Sequence, residues 1–248
     1  MRAILTYHSI DPSGSPISVA PEQFARHVAF LASGAVRVLP LEQLLDDSDP
    51  RPAVALSFDD GFANFASEAW PALREHGMPT TLFVATQRVG GDNRWEQHDT
   101  PGIPTLPLLN WEQLGRLAAD GLSLGAHSRT HPHLARVSAV QLSDEVEGSR
   151  SDLAARLGIE ARGFCYPFGE VDARSRAAVE RVFRWACTTE LAALAPQLDR
   201  SRLPRLDAYY LREPGALEAF GTARFRLRIF ARRQARRVRG WLPAQGWA

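Results

Sequence analysis

The chain has 248 residues, of which 45% are hydrophobic, and a formal net charge of +1 at pH 7. This composition is ordinary for a globular protein, and so small a net charge gives no general attraction to nucleic acid, so we predict no nucleic-acid partner. The two cysteines, Cys165 and Cys187, are too few for a disulfide framework or for a zinc site built from cysteines.

Apolar runs typical of strands alternate with helical patterns along most of the chain. The predicted strands cover residues 2–8, 35–39, 53–58, 80–84, 123–126, 163–166 and 185–188. The predicted helices cover residues 21–33, 66–76, 111–120, 138–158 and 173–183. This alternation predicts a parallel sheet covered by helices. The pattern leaves open whether the sheet is closed, but the length and the number of strands favour a barrel, complete or incomplete.

The first residues, 1–8, turn polar too early for a signal peptide, and no apolar stretch is long enough to span a bilayer. The expected location is therefore the cytoplasm, with association at the inner face of the membrane as an extension of that prediction.

Two polar motifs follow predicted strands directly. The first is Ser57–Gly61, with the sequence SFDDG, and the second is His127–His131, with the sequence HSRTH. In barrels of parallel strands, active sites form at the carboxyl ends of the strands, where both motifs lie. Together they offer two imidazoles and one carboxylate to a divalent metal ion, with a second carboxylate left over. The spare carboxylate could accept a proton from an attacking water molecule.

These motifs resemble those of the polysaccharide deacetylases, the NodB-homology group of carbohydrate esterases. Residues 57–61 resemble the family's Thr/Ser-Phe-Asp-Asp-Gly motif. Residues 127–131, followed by Pro132, resemble its second motif, which begins with His-Ser/Thr and ends with His-Pro. Residues 165–169 resemble its third motif, which ends with proline, an aromatic residue and glycine. The similarity extends from the first strand to the region of Trp185.

The resemblance implies an α/β fold, a deformed (β/α) barrel of parallel strands, that removes N-acetyl groups from an amino-sugar polysaccharide or its lipid-linked precursor. Asp60, His127 and His131 match the family's metal ligands, and Asp59 matches its catalytic base. The backbone N–H of Phe168 matches a donor to the developing oxyanion. Zinc is the expected ion, although cobalt, nickel or manganese would also accept two nitrogens and one oxygen.

The sequence also departs from the commoner family members. Their third motif opens with arginine, where this chain has Cys165, and their late Leu-x-His motif appears here as Leu203–Arg205. His8 follows the first strand in a Tyr-His pair that resembles the poly-N-acetylglucosamine deacetylases, in which an early histidine acts as general acid. We therefore expect His8 to be the acid, and Arg205 is a candidate to orient the base.

We divide the chain into a catalytic domain, residues 1–220, and a basic C-terminal helix or tail, residues 221–248. Residues 223–239 contain eight arginines and no acidic residue. The favoured interpretation is a terminal helix that packs on the barrel and has a solvated charged face. The alternative is a peripheral contact with anionic lipid, which Trp241 and Trp247 would strengthen.

Two other functions are compatible with these motifs. One is an amidase acting on a non-sugar substrate, in which the long loop 87–110 would have to shape a small closed pocket. The other is a glycan-binding protein with weak catalysis. The complete set of base and ligands argues against the second alternative.

Overall fold

A closed barrel of parallel strands forms the centre of the computed structural model, which describes residues 1–95 and 101–240, the last four by their backbone alone. The strands are β1 Arg2–Tyr7, β2 Ser9–Ile10, β3 Ser18–Val19, β4 Arg37–Val38, β5 Ala53–Phe58, β6 Thr80–Val84, β7 Ser123–Ala126, β8 Gly163–Cys165, β9 Trp185–Leu191 and β10 Leu203–Asp207. The helices are α1 Pro21–Ala32, α2 Leu41–Asp46, α3 Trp70–Glu75, α4 Trp111–Ala119, α5 Ala139–Leu157, α6 Ala173–Val182 and α7 Ala223–Gly240.

Seven of these strands close the barrel in the order β1-β5-β6-β7-β8-β9-β10, and β10 pairs with β1 to complete the ring. β4 extends the sheet beside the first residues of β5, while β2 and β3 form a separate two-stranded pair. The predicted barrel is therefore confirmed, and the sheet is closed. Every strand leads to the same carboxyl end, because all of the pairings are parallel.

The structure differs from the sequence-based elements at a few places. β9 continues to Leu191 rather than ending at residue 188, and the predicted helix 66–76 is a π-helical turn, Phe65–Ala69, followed by α3. Strand β10 and helix α2 were not predicted at all. β10 contains a proline and an arginine within five residues, and such a run does not have the apolar pattern of a strand.

The inside of the barrel changes from apolar to polar along its length. Successive side chains of a strand point to opposite faces, so one set from each strand faces the interior. Ile4 and Phe83 belong to an inner apolar cluster on which the leucines of α2 pack. Beyond them, Thr6, Ser57 and Arg205 meet each other in the interior, close to the carboxyl ends of their strands. A buried polar centre thus begins where the apolar filling ends.

The basic C-terminal segment packs on the barrel as helix α7. Phe225 and Ile229 are buried in the main core, and the Arg236 guanidinium donates to the backbone carbonyl of Thr189 on β9 at 3.1 Å. Residues 241–248, which include Trp241 and Trp247, lie outside the described residues, as do residues 96–100 of the long loop. Among the helices that are described, none is both long and apolar enough to cross a membrane.

Candidate active site

The two adjacent aspartates at the end of β5 point to different partners. The Asp59 amide still donates to the Tyr7 carbonyl on β1, at 3.0 Å, as a continuation of the sheet. Asp60 then adopts a left-handed backbone with φ of 71°. A non-glycine residue in this region costs on the order of 1–2 kcal/mol, so surrounding contacts must hold it there. The turn separates the two carboxylates, although they are neighbours in sequence.

Asp59 is bound on both oxygens by one guanidinium. Arg205 Nη1 lies 2.7 Å from Asp59 Oδ1, and Arg205 Nη2 lies 2.6 Å from Oδ2. The remaining Arg205 nitrogen, Nε, donates to the Thr188 carbonyl at 2.9 Å. Both side chains of the pair are almost fully buried, at 1% and 2% exposed. Arg205 thus occupies the orienting position that the sequence suggested for it.

This ion pair fixes the charge of Asp59. Burial alone would raise the pKa of the carboxyl, but the Arg205 guanidinium outweighs burial and holds the Asp59 pKa well below its usual range. Asp59 is therefore ionised throughout the neutral range, as a proton acceptor must be.

Asp60, His127 and His131 converge on one point. Asp60 Oδ1 lies 3.2 Å from His127 Nε2 and 3.5 Å from His131 Nε2. Neither contact is aligned as a hydrogen bond, and Oδ1 has no hydrogen-bond partner among the described residues. An acceptor and two ring nitrogens that face one another without bonding are a donor set for a cation. The three residues fit a divalent metal ion.

The two imidazoles each turn Nε2 toward that point. His127 Nδ1 donates to the backbone carbonyl of Cys165 at 2.7 Å, so Nε2 is the ring nitrogen that faces Asp60. Burial lowers the pKa of His127, but Cys165, Asp60 and Asp59 around the ring raise it well above its usual range. Burial and the positive charge of His127 lower the pKa of His131 to about 3, so the His131 ring is neutral. Metal ions bind neutral imidazole, so an ion bound at this point would replace the proton on His127 Nε2.

A buried carboxylate on α5 holds the loop between the two histidines. Glu145 Oε2 accepts from the backbone amides of Arg129 and Thr130, at 2.7 and 2.9 Å. Ser128 and His131 both have a left-handed backbone, and the His131 amide donates to Ser128 Oγ at 3.0 Å. The strained loop therefore has its own internal support. Glu145 was missed at the sequence level because nothing separates it from the other polar residues of a long helix.

A second group of potential ligands overlaps the first. Asp59, His127 and Cys165 also lie close enough to share an ion. Burial raises the pKa of the Cys165 thiol to about 11, so the sulfur is protonated at neutral pH and is a poor ligand. Asp59 is already bound by Arg205. The chemistry of the donors therefore favours Asp60, His127 and His131.

The remaining predicted residues, His8 and Phe168, lie at the same end of the barrel. His8 Nε2 is 3.7 Å from Asp59 Oδ2, and the His8 side chain is 20% exposed. The Phe168 ring is 4.7 Å from the His131 ring and nearly perpendicular to it. Trp95, from the long loop, stacks on His131 at 4.2 Å. All six predicted site residues are thus brought together, and Trp95 adds an aromatic wall.

Comparison with known proteins identifies this arrangement. The family model for polysaccharide deacetylase matches residues 46–182, more than half of the chain. The chain belongs to the polysaccharide deacetylase family. Among curated relatives of the chain, the YxkH protein of Bacillus subtilis is 26% identical over 196 residues, which cover 77% of this chain and 65% of that protein. The poly-beta-1,6-N-acetyl-D-glucosamine N-deacetylase of Staphylococcus epidermidis is 22% identical over 203 residues, 76% of this chain and 67% of that protein.

Solved structures share the barrel of this chain. Streptococcus pyogenes deacetylase PplD has a TM-score of 0.71 at 20% identity and covers 83% of this chain and 91% of its own. IcaB from Ammonifex degensii has a TM-score of 0.71 at 22% identity and covers 84% of this chain and 93% of its own. At these identities the similarity establishes the fold.

The two overlapping ligand groups, Asp60 with His127 and His131, and Asp59 with His127 and Cys165, can be distinguished by the metal content of variants. We expect the wild type to bind one equivalent of a divalent ion, His131→Ala to lose most of it, and Cys165→Ser to retain it. Elemental analysis after dialysis measures all three proteins. Retention of a full equivalent by His131→Ala, or loss from Cys165→Ser, would contradict the ligand set of Asp60, His127 and His131.

Proposed function

We propose that this protein is a metal-dependent hydrolase that removes N-acetyl groups from an amino-sugar glycan, either a polysaccharide or its lipid-linked precursor. The observation that carries the proposal is the separation of the two aspartates. Arg205 holds Asp59 as an ionised carboxylate, and Asp60 faces His127 and His131. Membership of the polysaccharide deacetylase family supports hydrolytic deacetylation as the reaction.

Asp60, His127 and His131 would hold the ion, and zinc is the ion that we propose. A divalent ion at this position supplies Lewis-acid chemistry, since it acidifies water and polarises a carbonyl. Cobalt, nickel or manganese would also suit these ligands. His127 is the ligand whose orientation is best fixed, because the Cys165 carbonyl holds its other ring nitrogen.

Asp59 accepts the proton of the attacking water in this proposal. The arginine fork fixes the plane of the carboxylate, so its oxygens are aimed without any reorganisation during the reaction. Asp59 Oδ2 lies 3.7 Å from His8 Nε2. The proposed proton acceptor, Asp59, and the proposed donor, His8, therefore lie at the same end of the barrel.

His8 donates a proton to the leaving amine. An amide nitrogen must be protonated as the tetrahedral intermediate collapses, and an imidazole is suited to that transfer near neutral pH. Arg205 stands where the commoner family members have a histidine, and a guanidinium stays protonated. The partial exposure of His8 gives a leaving amine access to its ring.

The backbone N–H of Phe168 is the donor that we assign to the oxyanion. An amide aimed at the developing negative charge contributes on the order of 3 kcal/mol to transition-state stabilisation. Trp95 is half-buried and stacks on His131 at 4.2 Å, so it gives the site an aromatic wall, which supports a glycan substrate.

Helix α7 supports a peripheral contact with anionic lipid. Leu227 and Phe230 are 67% and 57% exposed and lie three residues apart, on one side of the helix. Arg224 and Arg226 are exposed beside them. A basic helix with exposed apolar residues is suited to a membrane surface, and such a contact would bring the enzyme to a lipid-linked substrate. The cytoplasmic location stays a prediction.

The base is tested by Asp59→Asn, which we expect to retain the metal ion and to lose about 10²–10⁴-fold in kcat, because an amide does not accept the proton. Acetate released from N-acetylated oligosaccharides is the measurement, and Asp120→Asn on the surface is the matched control. Loss of the buried partner of Arg205 should also lower stability by about 3–5 kcal/mol. Thermal unfolding separates the two effects, and wild-type turnover in the variant would exclude Asp59 as the base.

The acid is tested by His8→Ala. We expect unchanged metal content and unfolding temperature, with kcat reduced by about 10²–10⁴-fold. The exposed His76, at the end of α3, provides the matched control His76→Ala. A kcat equal to that of the wild type in His8→Ala would remove this role and require another donor.

Membrane contact is tested by co-sedimentation with vesicles of phosphatidylglycerol at low salt. The double variant Leu227→Ser/Phe230→Ser should bind at least about tenfold more weakly than the wild type, since each apolar side chain contributes about 1.5–3 kcal/mol when buried. Val140→Ser, at an exposed apolar residue on α5, is the control. Hydrolysis of a soluble oligosaccharide should stay unchanged. Equal binding by the double variant would contradict the proposed surface.

A further inference from the structure

Phe168 has a strained backbone, although it is not one of the candidate metal ligands. Four non-glycine residues have a positive φ among those described, and the other three, Asp60, Ser128 and His131, belong to the ligand loops. Phe168 has φ of 57° and ψ of −1°. Neighbouring contacts must offset this conformational cost.

A histidine outside the ligand set stacks on the Phe168 ring. The His133 and Phe168 rings are 3.9 Å apart and within 11° of parallel. His131 contacts the same phenyl ring edge to face, at 4.7 Å. The ring is therefore held by two histidines that follow one another in the same loop.

His133 is itself fixed in orientation. Its Nδ1 donates to Glu170 Oε2 at 3.0 Å, since an ionised carboxylate only accepts. Arg136 lies 3.6 Å from the other oxygen of Glu170. Glu170 follows the third motif directly, so this contact joins the two loops on either side of the stacked rings.

The backbone of Phe168 is fixed on its other side by β9. Thr189 Oγ1 donates to the Phe168 carbonyl at 3.3 Å. Gly169 makes this approach possible, because a Cβ at that position would lie 2.1 Å from Thr189 Oγ1. β9 thus holds the Phe168 carbonyl, and His133 holds the Phe168 ring. Because both are fixed, the amide between Pro167 and Phe168 has little freedom to rotate.

We propose that His133 is a positioning residue that aims the backbone N–H of Phe168 by stacking on its ring. This inference rests on the proposed deacetylation, in which that N–H binds the oxyanion. Without the stack, the strained peptide is free to relax, and a misplacement of about 1 Å can reduce a rate by about 10²-fold.

The kinetic test compares His133→Ala, His133→Phe and Phe168→Ala. We expect His133→Ala to lower kcat by about 10–100-fold with a smaller change in KM and unchanged metal content. His133→Phe retains a flat ring and should restore most of kcat. Adding His133→Ala to Phe168→Ala should cost little further, because both changes remove the same stack. Strictly additive losses, or no rescue by phenylalanine, would overturn the proposal.

A second measurement does not depend on activity. In protein labelled with ¹⁵N at phenylalanine, the order parameter of the Phe168 amide should fall from about 0.85 in the wild type to below about 0.6 in His133→Ala and stay at about 0.85 in His133→Phe. His76→Ala is the matched control. A wild type without deacetylase activity would refute the proposed function alone, whereas an unchanged order parameter of the Phe168 amide in His133→Ala would refute the positioning role.

Discussion

The buried ion pair between Arg205 and Asp59 is the interaction on which the site depends. Two charges removed from water are costly unless their hydrogen bonds are complete. Here they are complete for the guanidinium, since its three nitrogens contact Asp59, Thr6, Cys165 and the Thr188 carbonyl. The ion pair holds the Asp59 carboxylate in the barrel interior, whereas the neighbouring Asp60 carboxylate faces His127 and His131. Lysine would not replace arginine here, because a single ammonium group does not form the planar fork.

The second constraint is backbone strain, which is concentrated at the same end of the barrel. Asp60, Ser128, His131 and Phe168 all adopt the left-handed region. Glu145 holds the histidine loop, whereas His133 and Thr189 hold Phe168. Such strain persists only when the rest of the fold over-determines it, and it is typical of catalytic centres. The barrel supplies rigid strand ends, and the strained loops after them fix the positions of the site residues.

The candidate ligands are visible in the sequence because they lie in short motifs directly after apolar strands. Local pattern indicated two imidazoles and one of two carboxylates, the family resemblance selected Asp60 as the ligand, and the alternation of elements predicted the barrel. Strand β10 could not be predicted in this way, because a buried arginine at its centre contradicts an apolar pattern. That arginine is tolerated only because Asp59, 146 residues earlier in the chain, neutralises it. The stacking of His133 on Phe168 is likewise a long-range contact between two loops, and neither loop indicates it alone.

Anomalous diffraction from crystals of the zinc-loaded protein tests the central claim most directly. The account predicts one peak bound by Asp60, His127 and His131, at about 2.0–2.2 Å from oxygen and nitrogen, with both oxygens of Asp59 still on Arg205. A peak bound by Asp59 or by the Cys165 sulfur, or an Asp59 carboxylate released from the guanidinium, would contradict it.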